Sequence, residues 1–142
     1  MQIIELNQMK SFLIIAGALV LAACDATPDA QANSQQISAG KQVFKSNCLT
    51  CHGVGARGEV SNWQKPDADG KYPAPPLNGT AHAWHHNLKV LRGTIDRGGI
   101  PLGGTMPAFK DTLNEEQKDA VLAYIQSLWP EEIYQTWKKN NG

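Results

Sequence analysis

The sequence predicts a single all-α domain of ordinary size carried behind an export signal. Two observations predict the helices. Apolar residues recur at three- and four-residue spacing in successive segments from residue 37 onward, and no run alternates with the two-residue period of a strand. A third observation sets the domain apart from what precedes it: an apolar run, Ser11 to Ala23, gives way to a polar stretch with neither period. The 142 residues include 13 Lys+Arg and 13 Asp+Glu, a formal charge of zero, and 42% are hydrophobic. That is too apolar for a disordered chain, and the balanced charge lacks the basic excess of a nucleic-acid binder. Three cysteines exclude a complete disulfide framework unless one has another task.

Residues 1–23 read as a signal peptide. The apolar run holds 13 residues where a bilayer-spanning helix needs about 20, and Lys10 supplies its positive flank. It ends Leu21-Ala22-Ala23-Cys24, which resembles the bacterial lipobox. The resemblance implies cleavage before Cys24, lipid on its sulfur, and attachment to a membrane on the periplasmic side of a bacterial envelope. The alternative is a plain secretory peptide cut after Ala23, leaving Cys24 a stray thiol. Asp25 resembles the inner-membrane retention signal of enteric lipoproteins, which favours the inner membrane. Glu5 is out of place in a signal n-region, whereas Met9-Lys10-Ser11 leads straight into the run, so translation is predicted to start at Met9. Residues 24–36 are small and polar beyond Cys24, cannot bury a core, and predict a flexible tether. The domain is then 37–142.

The first helix is predicted from Ile37 to Asn47, with Ile37, Gly40 and Phe44 on one face. A mid-helix glycine costs about 1 kcal/mol against alanine, which a close helix–helix crossing would explain. Cys48-Leu49-Thr50-Cys51-His52 follows at once. C-x-x-C-H is the attachment site of a c-type haem: two thiols add to vinyl groups on one porphyrin edge, and the adjacent histidine sits under the iron. A thioredoxin-like dithiol should follow a strand, and a zinc site needs two more ligands. A second helix is predicted from Asn87 to Arg97, stopped by Gly98-Gly99, with Leu88, Leu91 and Ile95 as its buried stripe. Asn114 and Gln117 form a capping box ahead of Val121, Tyr124, Ile125 and Leu128, and Pro130 stops that helix. A short last helix, Glu131 to Lys138, is expected to pack Ile133 and Trp137 on the body.

Taken in this order, the segments resemble class I cytochrome c over about Ile37 to Trp129. The resemblance implies that fold, with first and last helices crossing beside a covalently bound haem. Gly40 and Phe44 match the first-helix positions of the crossing, and Val121 and Tyr124 match the last-helix pair. One CxxCH implies one haem c, attached to Cys48 and Cys51 with His52 as proximal ligand. Gly103-Gly104-Thr105-Met106-Pro107 resembles the distal loop, which makes Met106 the sixth ligand. Met106 is also the one methionine beyond the signal region. Pro75-Pro76-Leu77 resembles the segment whose carbonyl accepts from the proximal histidine, with Pro75 as acceptor and Leu77 against the ring. The spacing departs from the small members of the family, since Pro75 stands 23 positions after His52. Within that excursion Arg57 or Trp63 is a candidate partner for a haem propionate, and Asp67 to Gly70 predicts a turn rather than a calcium loop.

His82, His85 and His86 are the competing ligands. On a helix they would share one face at i, i+3, i+4 and could bind copper or zinc; they could also supply a bis-histidine haem, or one could bond a propionate. The implied function is a monomeric, membrane-tethered periplasmic carrier of single electrons, not an enzyme in itself. Its partners would be redox proteins: an oxidase, a quinol-oxidising complex or a reductase. The alternatives are a haem enzyme or a gas or peroxide sensor with a labile Met106, or a copper-handling protein using the histidine cluster.

Overall fold

The computed structural model describes residues 28–141; the predicted signal peptide, the Met9 start, Cys24 and Asp25 lie outside the described residues. Five α-helices succeed one another: α1 (Pro28–Asn47), α2 (Leu49–His52), α3 (Leu88–Arg97), α4 (Glu115–Ser127) and α5 (Glu131–Asn141). Single 3-10 turns occupy Val54–Ala56, Ala83–His85 and Ile100–Leu102. Among the described residues there is no strand, and an isolated parallel bridge joins Tyr72 to Gly104. The all-α class read from the periodicity is the fold. No helix among the described residues is long and apolar enough to cross a membrane.

α1 begins at Pro28, ahead of the predicted start at Ile37, so residues 28–36 are helical and not the flexible tether expected from their polarity. Apolar periodicity could not reveal this, because the added turns carry no apolar stripe in the sequence; Asn33 to Gln36 are exposed. Alanine and glutamine are good helix formers, and proline suits a first helical position.

The core forms where α1 crosses α4. Gly40 is buried there, and a Cβ at this position would overlap the Ala120 carbonyl and stand 2.9 Å from Tyr124 Cβ. Bare backbone at Gly40 is therefore what lets the helices meet. Phe44, 3% exposed, sets its ring 5.3 Å from that of Tyr124, tilted by 59°. Val121, Leu122 and Ile125 complete the buried face of α4. Both capping-box bonds are made: Gln117 N–H donates to Asn114 Oδ1 at 2.9 Å, and Asn114 N–H donates to Gln117 Oε1 at 3.0 Å.

α3 is capped by Asn87, whose Oδ1 accepts from Val90 N–H at 3.0 Å. Its buried stripe differs from the predicted one. Leu88 is 39% exposed, while Leu91 and Ile95 pack into the core. Leu88 is the first residue of the helix, still leaving the preceding loop, so periodicity alone misplaced it. An ion cluster ties α3 to α4: Arg92 pairs with Glu115 and Asp119, and the buried Lys118 Nζ lies 2.6 Å from Asp96 and 2.7 Å from Glu115. α5 packs on the 83–85 turn, burying Trp137, whose Nε1–H donates to the His86 carbonyl at 2.8 Å. Ile133 is half-buried against the same core.

Candidate functional site

The C-x-x-C-H segment is wound as a helical turn continuing α1. Cys48 N–H donates to the Phe44 carbonyl and His52 N–H to the Cys48 carbonyl, both at 2.8 Å. Helical winding puts Cys48, Cys51 and His52, at i, i+3 and i+4, on one face. All three line a single cavity of about 630 Å³, within the size range of small-molecule and cofactor sites. Both cysteines are unpaired. Burial, and then the neighbouring Cys51, pushes the Cys48 thiol up to about 11, so it remains a thiol at neutral pH.

His52 is buried, and its Nδ1 donates to the Pro75 carbonyl at 2.9 Å. That bond puts the proton on Nδ1 and leaves the Nε2 lone pair as the ligating one. Burial lowers the His52 pKa below the ordinary histidine value, partly opposed by the Pro75 bond, so the ring is a neutral donor. Leu77 also lines the cavity, and its backbone is held from two sides. Its N–H donates to the Ala56 carbonyl at 2.8 Å, and its carbonyl accepts from Trp129 Nε1 at 2.8 Å.

The stretch between His52 and Pro75, which stand 23 positions apart, closes on itself. Gly58 N–H donates to the His52 carbonyl at 2.9 Å, and Glu59 N–H donates to the Ala74 carbonyl at 3.0 Å. The chain leaves and re-enters the site at one neck, and residues 60–73 form an excursion that does not disturb the His52–Pro75 contact. Trp63, Gln64 and Tyr72 of that excursion line the cavity. Asp67 Oδ1 accepts from the N–H groups of Asp69 and Lys71, each at 2.9 Å, which makes the predicted turn. Arg57 is exposed and does not line the cavity; Arg97 does, from the last turn of α3. Sequence reading missed Arg97. Its one signal was a basic residue at the helix end that leads into the Met106 loop.

Met106 is half-buried, packs against the core cluster and lines the same cavity. Its loop is fastened on two sides: Gly99 N–H donates to the Met106 carbonyl, and Tyr72 N–H donates to the Gly103 carbonyl, both at 2.9 Å. The histidine segment does not form the predicted helical face. Ala83–His85 is one 3-10 turn and His86 is extended, so the i, i+3, i+4 spacing does not gather three imidazoles. His82 packs between Trp63, with ring centres 5.0 Å apart, and His86, at 5.9 Å. His85 turns against Trp84 at 4.0 Å. Burial, then the His86 and His85 charges, lower the His82 pKa. Among the described residues no group of three His, Cys, Asp or Glu can hold a metal ion. The cluster thus does not present the three-imidazole face that a helix would have given it. With helix α1 leading into the cysteines, the thioredoxin reading goes.

The donors that line the cavity are two free thiols, the oriented imidazole of His52, the thioether of Met106, and the imidazoles of His82 and His86, within a mostly apolar lining. They fit a c-type haem: thiols for the porphyrin edge, nitrogen and soft sulfur for iron. A family model described as Cytochrome c matches residues 37–129. The chain belongs to the cytochrome c family.

The cytochrome has relatives of several sizes. It is 33% identical over 123 residues to the Cbb3-type cytochrome c oxidase subunit FixP of Sinorhizobium medicae, covering 80% of this chain and 38% of that one. Over 104 residues it is 32% identical to the Cbb3-type cytochrome c oxidase subunit CcoP of Rhodobacter capsulatus, covering 68% of this chain and 31% of that one. Cytochrome c6 of Tetradesmus obliquus is 30% identical over 94 residues, 65% of this chain and 90% of that one. The cytochrome thus spans about a third of the length of the two oxidase subunits. No solved structure matches it. Membership brings a covalently bound haem c. Helix α5, at 131–141, lies beyond the matched segment.

Proposed function

We propose that this cytochrome is a monomeric, membrane-tethered periplasmic carrier of single electrons, in which Cys48 and Cys51 would hold one haem c covalently and His52 and Met106 would ligate its iron. The observation that carries the reading is that all four side chains line one cavity, and that the ligating nitrogen of His52 is already selected by the Pro75 bond. When bound, haem c supplies a one-electron Fe(III)/Fe(II) couple, which a Met/His ligand pair sets at a higher potential than a bis-histidine pair.

The chain's own residues then do three things. Cys48 and Cys51 hold the group covalently. The Pro75 carbonyl orients His52, and Leu77, Ile95 and Val121 exclude water from the cavity. The loop fastened at Gly99 and Gly103 offers a thioether whose position does not depend on charge state, which keeps reorganisation small. With His52 and Met106 both offered by the chain, no position would be left for a substrate, and the activity would be electron exchange with other redox proteins. Similarity to the oxidase subunits favours a respiratory oxidase as one partner; a quinol-oxidising complex or a reductase fits the same chemistry. Lipid on Cys24, from the lipobox-like Leu21-Ala22-Ala23-Cys24, supports the tether, with Asp25 favouring the inner membrane. A tether raises the effective concentration at membrane partners.

Visible spectroscopy with redox potentiometry on the periplasmically matured protein tests this. The ferric protein is expected to show the red Met–Fe(III) charge-transfer band, and Met106→Ala to lose it together with a fall in potential. High-spin ferric iron that binds cyanide at once in the parent protein would overturn the reading in favour of an enzyme or sensor. Colour extracted by acidified organic solvent would overturn the covalent attachment. Cys24→Ser is expected to move the cytochrome from the membrane fraction to the soluble periplasm.

A further inference from the structure

Met106 has no side-chain hydrogen bond to hold it, so its position depends on what its backbone rests upon. That support is the end of α3. Gly98, buried, follows the last helical residue with φ +73°, and its N–H donates to the Thr94 carbonyl at 2.9 Å. A Cβ on Gly98 would stand 2.5 Å from the Met106 carbonyl oxygen, 2.7 Å from the Pro107 carbonyl carbon and 2.8 Å from the Ala108 nitrogen. All three obstacles are backbone, which cannot rotate away as a flexible side chain would. Gly99 continues the contact: its N–H donates to the Met106 carbonyl at 2.9 Å, its carbonyl accepts from Gly104 N–H at 3.0 Å, and a Cβ there would meet Met106 Cβ at 3.3 Å. Further back in the same helix, the Ile95 carbonyl accepts from Phe109 N–H at 2.9 Å.

We propose that Gly98 and Gly99 are positioning residues for the distal ligand: a side-chain-free seat on which the Met106–Ala108 backbone lies flat against the end of α3, setting how far the thioether reaches into the cavity. The proposal rests on the reading that Met106 is the sixth ligand. At φ +73° and ψ −173° the Gly98 backbone lies where essentially glycine alone is at ease, so any side chain there loses the conformation and the close approach together. Gly99, at φ −107° and ψ −6°, is open to any residue, so a side chain there tests the close approach alone. The two roles are thus separated by comparing the two positions.

The experiment compares matured, haem-bearing Gly98→Ala, Gly98→Asn and Gly99→Ala with the parent, using Gly70→Ala as the strain control. Gly70 has φ +73° too, but a Cβ there meets nothing within 4 Å. Four readouts are taken: the red charge-transfer band, the reduction potential, the midpoint for displacement of the ligand by added imidazole, and the unfolding midpoint in guanidinium. Both Gly98 variants are expected to lose most of the band, to show a lower potential, and to bind imidazole roughly tenfold more tightly or better. Gly99→Ala, whose backbone is unstrained at φ −107°, is expected to shift the same three readouts in the same direction but less. Gly70→Ala is expected to leave band and potential unchanged while lowering only the unfolding midpoint. If Gly99→Ala keeps the parental band and potential, the pair is a helix stop and the proposal is wrong, whether or not the Gly98 variants mature. Parental values in Gly98→Asn refute it as well. A parent without the band refutes the Met106 reading itself, and is thereby told apart from failure of the seat.

Discussion

Replacing Gly40 by alanine tests the helix crossing directly, because two effects of opposite sign compete at that position. In a free helix the change would stabilise by about 1 kcal/mol, since alanine loses less conformational freedom. At the α1–α4 crossing the new methyl would overlap the Ala120 carbonyl and come within 2.9 Å of Tyr124 Cβ. Real Cβ atoms do not approach backbone so closely, so the helices must separate. Overpacking costs about 1–3 kcal/mol where side chains can yield, and here the obstacle is a peptide group. Separation also weakens the Phe44–Tyr124 ring contact, worth roughly 0.5–1.5 kcal/mol. The loss outweighs the helix gain, leaving a net destabilisation of about 2 kcal/mol. For a domain of this size that lowers the melting temperature by roughly 8–16 °C. Thermal unfolding of the haem-bearing protein, followed by circular dichroism, reads the effect, with the exposed Ser38→Ala as the helix-propensity control. A Gly40→Ala protein melting at or above the parent would refute the close approach.

Other predictions follow from the same structure. Trp129→Phe removes the Nε1 donor to the Leu77 carbonyl and leaves that cavity-wall peptide unpaired; a loss of about 2 kcal/mol in guanidinium unfolding is expected, and an unchanged midpoint would count against it. The ion cluster between α3 and α4 predicts how stability depends on pH. The bond from Lys118, then those from Arg92, hold Glu115 below its ordinary 4.5, so its contribution is present above that value and lost as pH falls through the lower folded value. Bonds to Asp96 and Glu115 hold Lys118 above its ordinary 10.5, so its contribution is present below that value and lost as pH rises through the higher one. Lys118→Met is expected to flatten both shoulders of a stability–pH curve measured with denaturant. A parent–variant difference constant across pH would show that the cluster acts by packing alone.

How much of this was legible in the sequence depended on how local the cause was. The Asn114–Gln117 box and the Asn87 cap involve residues three apart, and their bonds are made as the spacing implies. Gly40 was legible for a different reason: a mid-helix glycine is a cost that some contact must offset. What the sequence hid was set by distant partners or their absence. Residues 28–36 are helical without an apolar stripe, which a periodicity argument cannot see. Leu88 fits the spacing of a buried stripe but sits at the mouth of its helix, 39% exposed. His82, His85 and His86 have helical spacing, yet their backbone makes a single 3-10 turn, held from a distance by Trp137 on α5. Arg97 rather than Arg57 reaches the cavity, because Arg97 lies on the helix that forms the cavity wall while Arg57 leads outward into the excursion. The long spacing from His52 to Pro75 proved harmless, since the excursion begins and ends at the Glu59–Ala74 contact.

An unbroken α1 changes what an anchor at its front end would accomplish. Twenty residues of helix measure about 30 Å. Only residues 25–27 stand between Cys24 and that rod, and the rod runs into the turn bearing Cys48 and Cys51. A lipid on Cys24 would then hold the electron-bearing end at a reach set largely by the length of that rod, where a coil of the same residue count would let the distance vary widely. Such a cytochrome would favour partners whose docking faces lie within that reach.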